Sequence, residues 1–520
     1  MNGDPMAQST TGEKHVVIVG GGTAGWLSAC YLVSRLAGDA KPKPRLTLIE
    51  SSDVPPIGVG EATVPSLRDT IAALGVDEYT FMRECDATFK HGIRFVQWCH
   101  APGEKPGEHY FHPFERPLKA GFDSLAGYWL NGKDPHAREF FDAVSVQQRV
   151  AAACLAPKRF EDRSYAGPMP YAYHLDAGKL AGFLKRLGIA RGVRHVIGNV
   201  TGIEATAQGD IGRLLLDDSR SIAGDVFIDC SGFLGLLIEK HYSATFNDLS
   251  HILFCDKAVA CQVPNAEQNQ QIRPYTTATA QTAGWIWDIG LKNRRGTGHV
   301  FSSRYMSADE AEAVLRDYIG PQTADLKYRT LDMKVGYRDQ HWVGNCVAVG
   351  LSGGFIEPLE STGIHLIEVA LNMLVQMLPR YFNGGSPHAR FNEIMRNHYD
   401  IVIDFVKLHY YLTSRSDSPF WIDNAAAESA TPELAEKVEA WRSGYPDVYD
   451  MRFIHSIFDH MSYQYILFGM GRRPGHSANL GGNNHAVADN IFRNTYAAYD
   501  KAVEVLPDHR QIIERIHEAR

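Results

Sequence analysis

Short apolar runs recur along the chain, and most of them end at glycine or at a polar turn. Residues 16–19 form the first such run, and their β-branched, uncharged pattern predicts a buried parallel strand. Residues 28–36 follow with a helical pattern, and residues 46–49 predict a second strand that ends at Glu50. This order of strand, glycine-rich turn, helix and strand predicts the nucleotide-binding unit of an α/β fold.

The pattern changes further along the chain. A helix is predicted at 138–155, and strands and turns are predicted between residues 193 and 228. More strands are predicted at 247–262, 276–291 and 345–351, with a helix at 364–378. Beyond residue 387 the chain is mostly amphipathic helix with aromatic anchors. We therefore expect a disordered N-terminal tail at 1–14, an α/β domain with mixed β-sheets at 15–385, and a helical C-terminal lobe at 386–520.

The turn after the first strand carries three glycines at the spacing G-x-G-x-x-G, namely Gly20, Gly22 and Gly25. The first allows a tight turn, the second lets a pyrophosphate approach the backbone, and the third lets helix and strand pack closely. Glu50 is placed to accept hydrogen bonds from a ribose hydroxyl. A tight turn without a ligand is the alternative, and the motif does not choose between FAD and NAD.

Composition and charge exclude several classes of protein. The 520 residues carry a net charge of −8, and no basic cluster indicates nucleic acid or an anionic membrane as a partner. No signal-peptide pattern is present, and no apolar run approaches the roughly 20 residues of a membrane span. The eight cysteines include no C-x-x-C pair, so we expect reduced core thiols, a cytoplasmic protein and no metal site.

Two stretches of the first half suggest a site. Glu61 stands among glycines in the segment 56–65, as backbone lying close to a ligand would require, although an ordinary loop explains it equally well. An aromatic cluster at 110–114 is predicted to lie in a polar loop, where it suits a flat ring or a local hydrophobic contact.

Two stretches of the second half add candidates. Trp285 and Trp287 lie two residues apart on a predicted strand, so they share one face, where they wall a cavity or fill the core. Glu360 precedes a predicted helix start, whose free N–H groups suit an anion.

Taken in order, these motifs resemble the flavin-dependent tryptophan halogenases along nearly the whole chain. The resemblance rests on the glycine turn, on G-V-G-E-A-T-V-P at 58–65, on Lys90 after A-T-F, and on P-L-E-S-T-G-I at 358–364. Trp285-x-Trp287-x-Ile289 resembles the family's W-x-W-x-I-P signature, with Gly290 in the place of the proline.

The resemblance implies a set of site residues. Lys90 and Glu360 are implied to be catalytic, and Thr362 and Gly363 to bind chloride or bromide. FAD, used as FADH2, is implied to contact Gly20, Gly22, Thr23, Ala24, Gly25, Glu50, Ala62, Val200, Leu351 and Ile364. The substrate is implied to contact His112, Phe114, Trp285, Trp287 and Glu360.

The resemblance also implies a reaction and its partners. A flavin hydroperoxide and halide form hypohalous acid, which Lys90 delivers to the ring of tryptophan, free indole or a larger indole compound. A separate NAD(P)H-dependent flavin reductase supplies FADH2, and a homodimer is expected. The 15–385 domain is then an FAD-binding domain of the flavin monooxygenase type. A flavin-dependent hydroxylase or epoxidase of an aromatic substrate is the alternative.

Overall fold

The computed structural model describes residues 12–36, 43–54, 60–267, 269–321, 325–453, 456–475 and 482–518. Residues 1–11 of the expected tail and residues 56–59 of the predicted glycine segment therefore lie outside the described residues.

Strands occupy the first two thirds of the described chain. In the N-terminal half they are β1 His15–Val19, β2 Arg45–Glu50, β3 Gly60–Ala62, β4 Thr88–Lys90, β5 Gly92–Val96, β6 His109–Pro113, β7 Lys119–Ala120, β8 Asp123–Ser124, β9 Ala172–Asp176, β10 Arg194–Ile197, β11 Val200–Ala205, β12 Ile211–Leu216, β13 Ser221–Ala223, β14 Val226–Asp229 and β15 Phe246–Asp248. They continue with β16 Lys257–Pro264, β17 Thr276–Gln281, β18 Gly284–Gly290, β19 Arg294–Phe301, β20 Arg329–Asp332, β21 Gly336–Arg338, β22 Trp342–Val343, β23 Cys346–Ala348 and β24 Gly354–Phe355.

Helices are interleaved with these strands and then replace them. The helices before residue 360 are α1 Thr23–Arg35, α2 Ser66–Ala73, α3 Glu78–Glu84, α4 Leu125–Leu130, α5 Phe140–Val144, α6 Gln147–Ala152, α7 Ala177–Ala190 and α8 Ala308–Ile319. The later ones are α9 Gly363–Phe382, α10 His388–Tyr411, α11 Pro419–Ala425, α12 Pro432–Ala440, α13 His460–Gly469, α14 His485–Val505 and α15 His509–Glu518.

The predicted parallel sheet is confirmed. Its strand order is β10-β2-β1-β14-β23-β22, and all pairs but β22 with β23 are parallel. The strand β1 at its centre is fully buried and apolar except for His15, as expected for a strand covered on both faces. Helix α1 follows β1 directly and packs against α7 and α9. The fold is thus a Rossmann-type α/β fold with further mixed sheets.

A second, larger sheet has the order β20-β16-β19-β18-β17-β5-β6, antiparallel except for β5 beside β17. Strand β18, which carries the two predicted tryptophans, lies near its middle. A small sheet β3-β9-β4 lies beside it, with Lys90 opposite Ala172. Helix α13 packs on the edge strand β6 and brings the C-terminal helices to this sheet. None of the helices in the described ranges combines the length and apolar character that crossing a bilayer requires.

Three local predictions were wrong. The cluster at 110–114 is not in a loop, because residues 109–113 form β6 and pair with β5. Helix α1 begins at Thr23, not Ser28, so the glycine turn leads straight into a helix. The single helix suggested at 138–155 is split into α5 and α6 at Ser145, where the Glu115 carboxylate accepts from the Ser145 hydroxyl and the Val146 N–H.

Candidate active site

The glycine turn has the geometry that a bound pyrophosphate needs. Gly20 has φ +121°, and a Cβ there would lie 2.2 Å from the carbonyl oxygen of Cys230. A Cβ on Gly25 would lie 1.8 Å from the Gly20 oxygen, so both positions require glycine. A Cβ on Gly22, in contrast, would meet nothing within 4 Å. Gly22 thus faces open space at the N-terminus of α1, where Thr23 and Ala24 begin the helix and its free N–H groups suit an anion.

Glu50 lies against this turn. A Cβ on Gly21 would come within 2.2 Å of the Glu50 side chain. Its Oε2 is 3.0 Å from Lys185 Nζ and 2.7 Å from His195 Nε2, and about a quarter of the side chain is exposed. Glu50, the acid predicted to bind the ribose, therefore lies at the carboxyl end of the parallel strand β2, where Lys185 and His195 hold its carboxylate.

The other expected flavin contacts come from separate elements. A Cβ on Gly350 would lie 2.8 Å from the Ala24 Cβ, so the short 3₁₀ helix Gly350–Ser352, which includes Leu351, lies against the start of α1. Ile364 is buried in the first turn of α9. Asn199, next to Val200, accepts a hydrogen bond from Ser51 just after β2. Ala62 lies in β3, a strand of the same small sheet that holds Lys90.

Lys90 is fully buried at the end of β4. Its Nζ donates to the Thr63 carbonyl at 3.0 Å and to the Ser361 hydroxyl at 2.9 Å, and it lies 5.3 Å from the centre of the Phe114 ring. Burial lowers the pKa of Lys90 to about 7, with the charge of Glu360 opposing this shift. The structure therefore brings Lys90 to the residue next to Glu360, although the two are far apart in sequence.

Glu360 ends the 3₁₀ helix Pro358–Glu360 and is buried. Its carboxylate lies 3.0 Å from His112 Nδ1 and 3.0 Å from His409 Nε2. Burial raises the pKa of Glu360, but the charges and hydrogen bonds of these two histidines outweigh burial and lower it to about 2. Glu360 thus stays ionised at neutral pH, whereas the neighbouring Lys90 exists in both its charged and its neutral form there.

The residues after Glu360 form an anion-binding geometry. Ser361 has φ +61°, a left-handed conformation that turns the chain into α9. Thr362 is the N-cap of that helix and Gly363 its first residue, so their N–H groups belong to the helix end that lacks intrahelical acceptors. A Cβ on Gly363 would meet nothing within 4 Å. The backbone here can approach a halide closely.

Aromatic side chains surround the Glu360 carboxylate. The His112 ring lies 5.4 Å from Phe405 and 6.2 Å from both Phe458 and Tyr465. Phe405 and Phe458 stack at 3.8 Å. With Phe114 beside Lys90, these rings form a surface suited to a flat aromatic substrate.

The two tryptophans predicted on one face of a strand lie close to each other. Trp285 and Trp287 have ring centres 6.4 Å apart, and both are buried on β18. Trp287 fills the space over Gly298, where a Cβ would lie 2.2 Å from its ring. Gly290, in the place of the signature's proline, still pairs with Arg295, and its oxygen accepts a hydrogen bond from Thr88 at 2.7 Å. The change from proline thus leaves the strand intact and ties it to the strand of Lys90.

Sequence reasoning missed several residues of this site, among them residues of the C-terminal helices and of the segment before α13. His409 Nδ1, on α10, accepts a hydrogen bond from the Tyr110 hydroxyl at 2.7 Å, and its Nε2 lies 3.0 Å from the Glu360 carboxylate. Phe405 on the same helix and Phe458 before α13 complete the aromatic wall. Of the two tyrosines on α13, Tyr465 lies beside His112, whereas Tyr463 packs behind it on Phe405 at 5.0 Å.

Known proteins resemble this chain in both sequence and fold. The profile of the tryptophan halogenase family matches residues 15–485. Tryptophan 6-halogenase SttH of Streptomyces toxytricini is 37% identical over 487 residues, covering 89% of this chain and 90% of the relative.

Solved structures agree with this match. A tryptophan halogenase from Shewanella frigidimarina superposes with a TM-score of 0.92 at 36% identity, covering 98% of each chain. Tar14, a tryptophan C-6 flavin-dependent halogenase from taromycin biosynthesis, superposes with a TM-score of 0.90 at 36% identity, covering 97% of this chain and all of Tar14. The expected family is therefore confirmed: the chain is an enzyme of the flavin-dependent tryptophan halogenase family.

Proposed function

We propose that the protein is an FADH2-dependent halogenase that delivers hypohalous acid, by way of Lys90, to the ring of an indole-containing substrate. The observation that carries this proposal is the hydrogen bond from the Lys90 ammonium to Ser361, between Glu360 and the turn into α9. A hydroxylase of the same fold has no use for a buried lysine and a buried carboxylate at one site.

The chain's own residues fit a bound flavin. Gly20, Gly22, Thr23, Ala24 and Gly25 offer the turn and the helix N-terminus to the pyrophosphate, and Glu50 would hold the ribose. Ala62, Val200, Leu351 and Ile364 would contact the rest of the cofactor through backbone groups. Reduced by a separate NAD(P)H-dependent reductase, the flavin would supply hypohalous acid from oxygen and halide.

Thr362 and Gly363 would hold chloride or bromide through their N–H groups. The open space at Gly363 and the dipole of α9 support this assignment, because a halide needs donors and no carboxylate directed at it. The Glu360 carboxylate is instead held by His112 and His409.

Lys90 would then transfer the halogen. It can donate a hydrogen bond that polarises hypohalous acid, or its neutral amine can exchange a proton for the halogen and release water. A pKa near 7 makes both forms of Lys90 available at neutral pH. The Ser361 hydroxyl and the Thr63 carbonyl fix the direction of Nζ in either case.

Glu360 would stabilise the positive charge that develops on the ring when it accepts a halogen. A carboxylate whose pKa is lowered to about 2 stays ionised throughout the working pH range. His112 and Phe114 would stack on the indole, and Trp285 and Trp287 would separate it from the flavin. Tryptophan, free indole and larger indole compounds all suit this aromatic surface.

The proposal is tested by supplying chemically reduced FAD, oxygen and an indole library with chloride, with bromide and with neither. We expect halogenated products by mass spectrometry that require the halide. A hydroxylated product that forms equally well without halide would replace the proposal with a hydroxylase.

The variant Lys90→Met tests the central role of this residue. We expect it to bind FAD and to oxidise FADH2 as the parent does, because the methionine keeps the apolar stem, but to form no halogenated product. Retained halogenation in this variant would remove Lys90 from the mechanism.

A further inference from the structure

Three side chains in the loop between β5 and β6 converge on one point, and the proposed reaction uses none of them. They are Cys99 and His100, which follow β5, and Glu108, which comes just before β6. The Cys99 Sγ, a ring nitrogen of His100 and a carboxylate oxygen of Glu108 lie within 4.8 Å of one another. Among the residues that the structure describes, this is the one group of three or more cysteine, histidine or acidic side chains arranged so closely.

The Glu108 carboxylate is already held in place beside the imidazole. One of its oxygens contacts His100 Nδ1, and the other accepts a hydrogen bond from the His100 backbone N–H at 3.0 Å. The Glu108 side chain is 14% exposed and the His100 side chain 28% exposed. A cation can therefore replace the proton between these two groups, and water can reach it from the open side.

The Cys99 thiol closes the group on its buried side. Its Sγ donates to the Gly469 carbonyl at 3.6 Å and lies 3.4 Å from Met470 Sδ at the end of α13. The Cys99 carbonyl accepts from the Ser414 N–H at 2.9 Å, which fixes the backbone. Burial raises the pKa of Cys99 to about 12, so the thiol stays protonated at neutral pH unless a metal ion displaces its proton.

The chemistry of these three ligands favours zinc. Magnesium and calcium take oxygen ligands, whereas Zn²⁺ combines cysteine sulfur, histidine nitrogen and carboxylate oxygen in a tetrahedron. Ligand atoms around such a zinc ion lie about 3.3–3.6 Å apart, so movements of about an ångström would close the group around it. A thiolate and a carboxylate also neutralise the two positive charges, as a largely buried ion requires.

We propose that Cys99, His100 and Glu108 bind one Zn²⁺ ion, with water as the fourth ligand. The lack of a C-x-x-C pair led to the prediction of no metal site, but this group needs only one cysteine. Its remaining ligands come from the adjacent residue and from the other end of the same loop.

The zinc ion would join the two ends of the loop and so brace the β5–β6 hairpin. Strand β6 carries His112, one of the two histidines that hold Glu360. Trp98, next to Cys99, packs its ring 6.0 Å from that of His409, which is the other histidine. The ion would thus stabilise the substrate side of the active site from behind, without taking part in the reaction.

The test titrates the full-length chain, stripped of metal by a chelator and kept reduced, with Zn²⁺ and with Co²⁺ as a spectroscopic substitute. Zinc content per chain, affinity in competition with a chromogenic chelator, and the melting temperature are measured without FAD or turnover. The variants Cys99→Ser, His100→Gln and Glu108→Gln each remove one ligand. Cys154→Ser and His109→Gln are the matched controls, because Cys154 is a second free cysteine and His109 a histidine of the same hairpin outside the group.

We expect the parent to bind one zinc ion per chain and to give a sulfur-to-metal charge-transfer band with Co²⁺. Cys99→Ser should lose this band and weaken zinc binding by about a hundredfold, and His100→Gln and Glu108→Gln should weaken it by at least about tenfold. Zinc in excess should raise the melting temperature of the parent and not that of Cys99→Ser. Both controls should bind zinc as the parent does.

A parent that binds no zinc, or a Cys99→Ser variant that keeps the affinity and the cobalt band, would overturn the inference. So would loss of the band in Cys154→Ser in place of Cys99→Ser. Should Cys99→Ser fail to fold, His100→Gln and Glu108→Gln decide, since both side chains reach solvent: parent-like affinity in both would refute the site. Halogenation is no part of these readouts, so the metal site and the proposed function can fail independently.

Discussion

Lys90 and Glu360 show how burial divides two ionisable groups between different tasks. Both side chains are buried, yet the pKa of Lys90 is lowered to about 7 and that of Glu360 is lowered to about 2. Burial dominates for the lysine, which has only neutral acceptors in Thr63 and Ser361. For Glu360, His112 and His409 outweigh burial. One group can change charge during turnover and the other cannot.

The pH dependence of halogen transfer follows from this difference. With a pKa near 7, roughly one Lys90 in ten is neutral at pH 6 and roughly nine in ten at pH 8. If the neutral amine carries the halogen, the single-turnover rate rises with pH through 7. If the ammonium polarises hypohalous acid, the rate falls over the same range.

The measurement is the rate of halogenated product formation after mixing with hypohalous acid generated in solution, between pH 6 and 8. The variant Lys90→Met, lacking the titrating lysine, is the control: its residual rate follows only the ionisation of hypohalous acid itself, and the parent rate is compared with it at each pH. A parent rate that is flat across this range would contradict the lowered pKa of Lys90.

At the scale of elements, two helix N-termini offer free N–H groups to the proposed anions. Helix α1 begins after Gly22 and helix α9 begins at Gly363, and a Cβ at either glycine would enter open space. The glycines Gly20 and Gly25 differ, because a Cβ there would collide with backbone atoms.

Substitutions at Gly22 and Gly363 test the two proposed anion sites separately. We expect Gly363→Ala to keep the melting temperature, since alanine favours a helix over glycine by up to about 1 kcal/mol, and to weaken bromide binding about tenfold. Gly22→Ala should likewise keep the fold but weaken FAD binding. Equilibrium titrations of each variant with FAD and then bromide check both expectations, and each variant is the control for the other.

Gly25→Ala should disrupt the fold, unlike the two previous variants, because its Cβ would lie 1.8 Å from the Gly20 oxygen. We expect little folded protein from it. Normal FAD affinity in Gly22→Ala would show that the open space at α1 is not where the pyrophosphate binds.

Much of the element order could be predicted from the sequence, because apolar strands such as β1 and β2 carry their own pattern. The split between α5 and α6 could not, since the Glu115 carboxylate that breaks the helix comes from a distant segment. The strand β6 could not be predicted either. Its aromatic residues were expected in a loop, and it is a strand because it pairs with β5. His409 was equally inaccessible, because nothing in α10 marks one histidine as the partner of a carboxylate 49 positions earlier; only the packed fold does so.

At the scale of the whole molecule, the C-terminal segment supports the strand of Lys90. His509, buried at the start of α15, accepts the Phe89 N–H on Nε2 at 3.1 Å and donates from Nδ1 to the Ile272 carbonyl at 2.8 Å. Burial lowers the pKa of His509 to about 4, so the ring is neutral and holds this one tautomer at neutral pH.

Removing this acceptor should loosen the strand. We expect His509→Leu to lower the free energy of unfolding by about 1–3 kcal/mol, because it leaves the buried Phe89 N–H without an acceptor. Halogenation should fall with it, since Lys90 is the next residue. Thermal unfolding and product yield check this, and His485→Leu at the start of α14, which packs on Tyr128 away from β4, is the control.

The bond between Phe89 and His509 joins positions 420 residues apart in the chain. A ribosome must therefore translate nearly all of the described sequence before the strand that bears the reactive amine acquires its last backbone partner. Under the proposed function, hypohalous acid therefore meets a completed Lys90 strand only in chains that have been synthesised through residue 509.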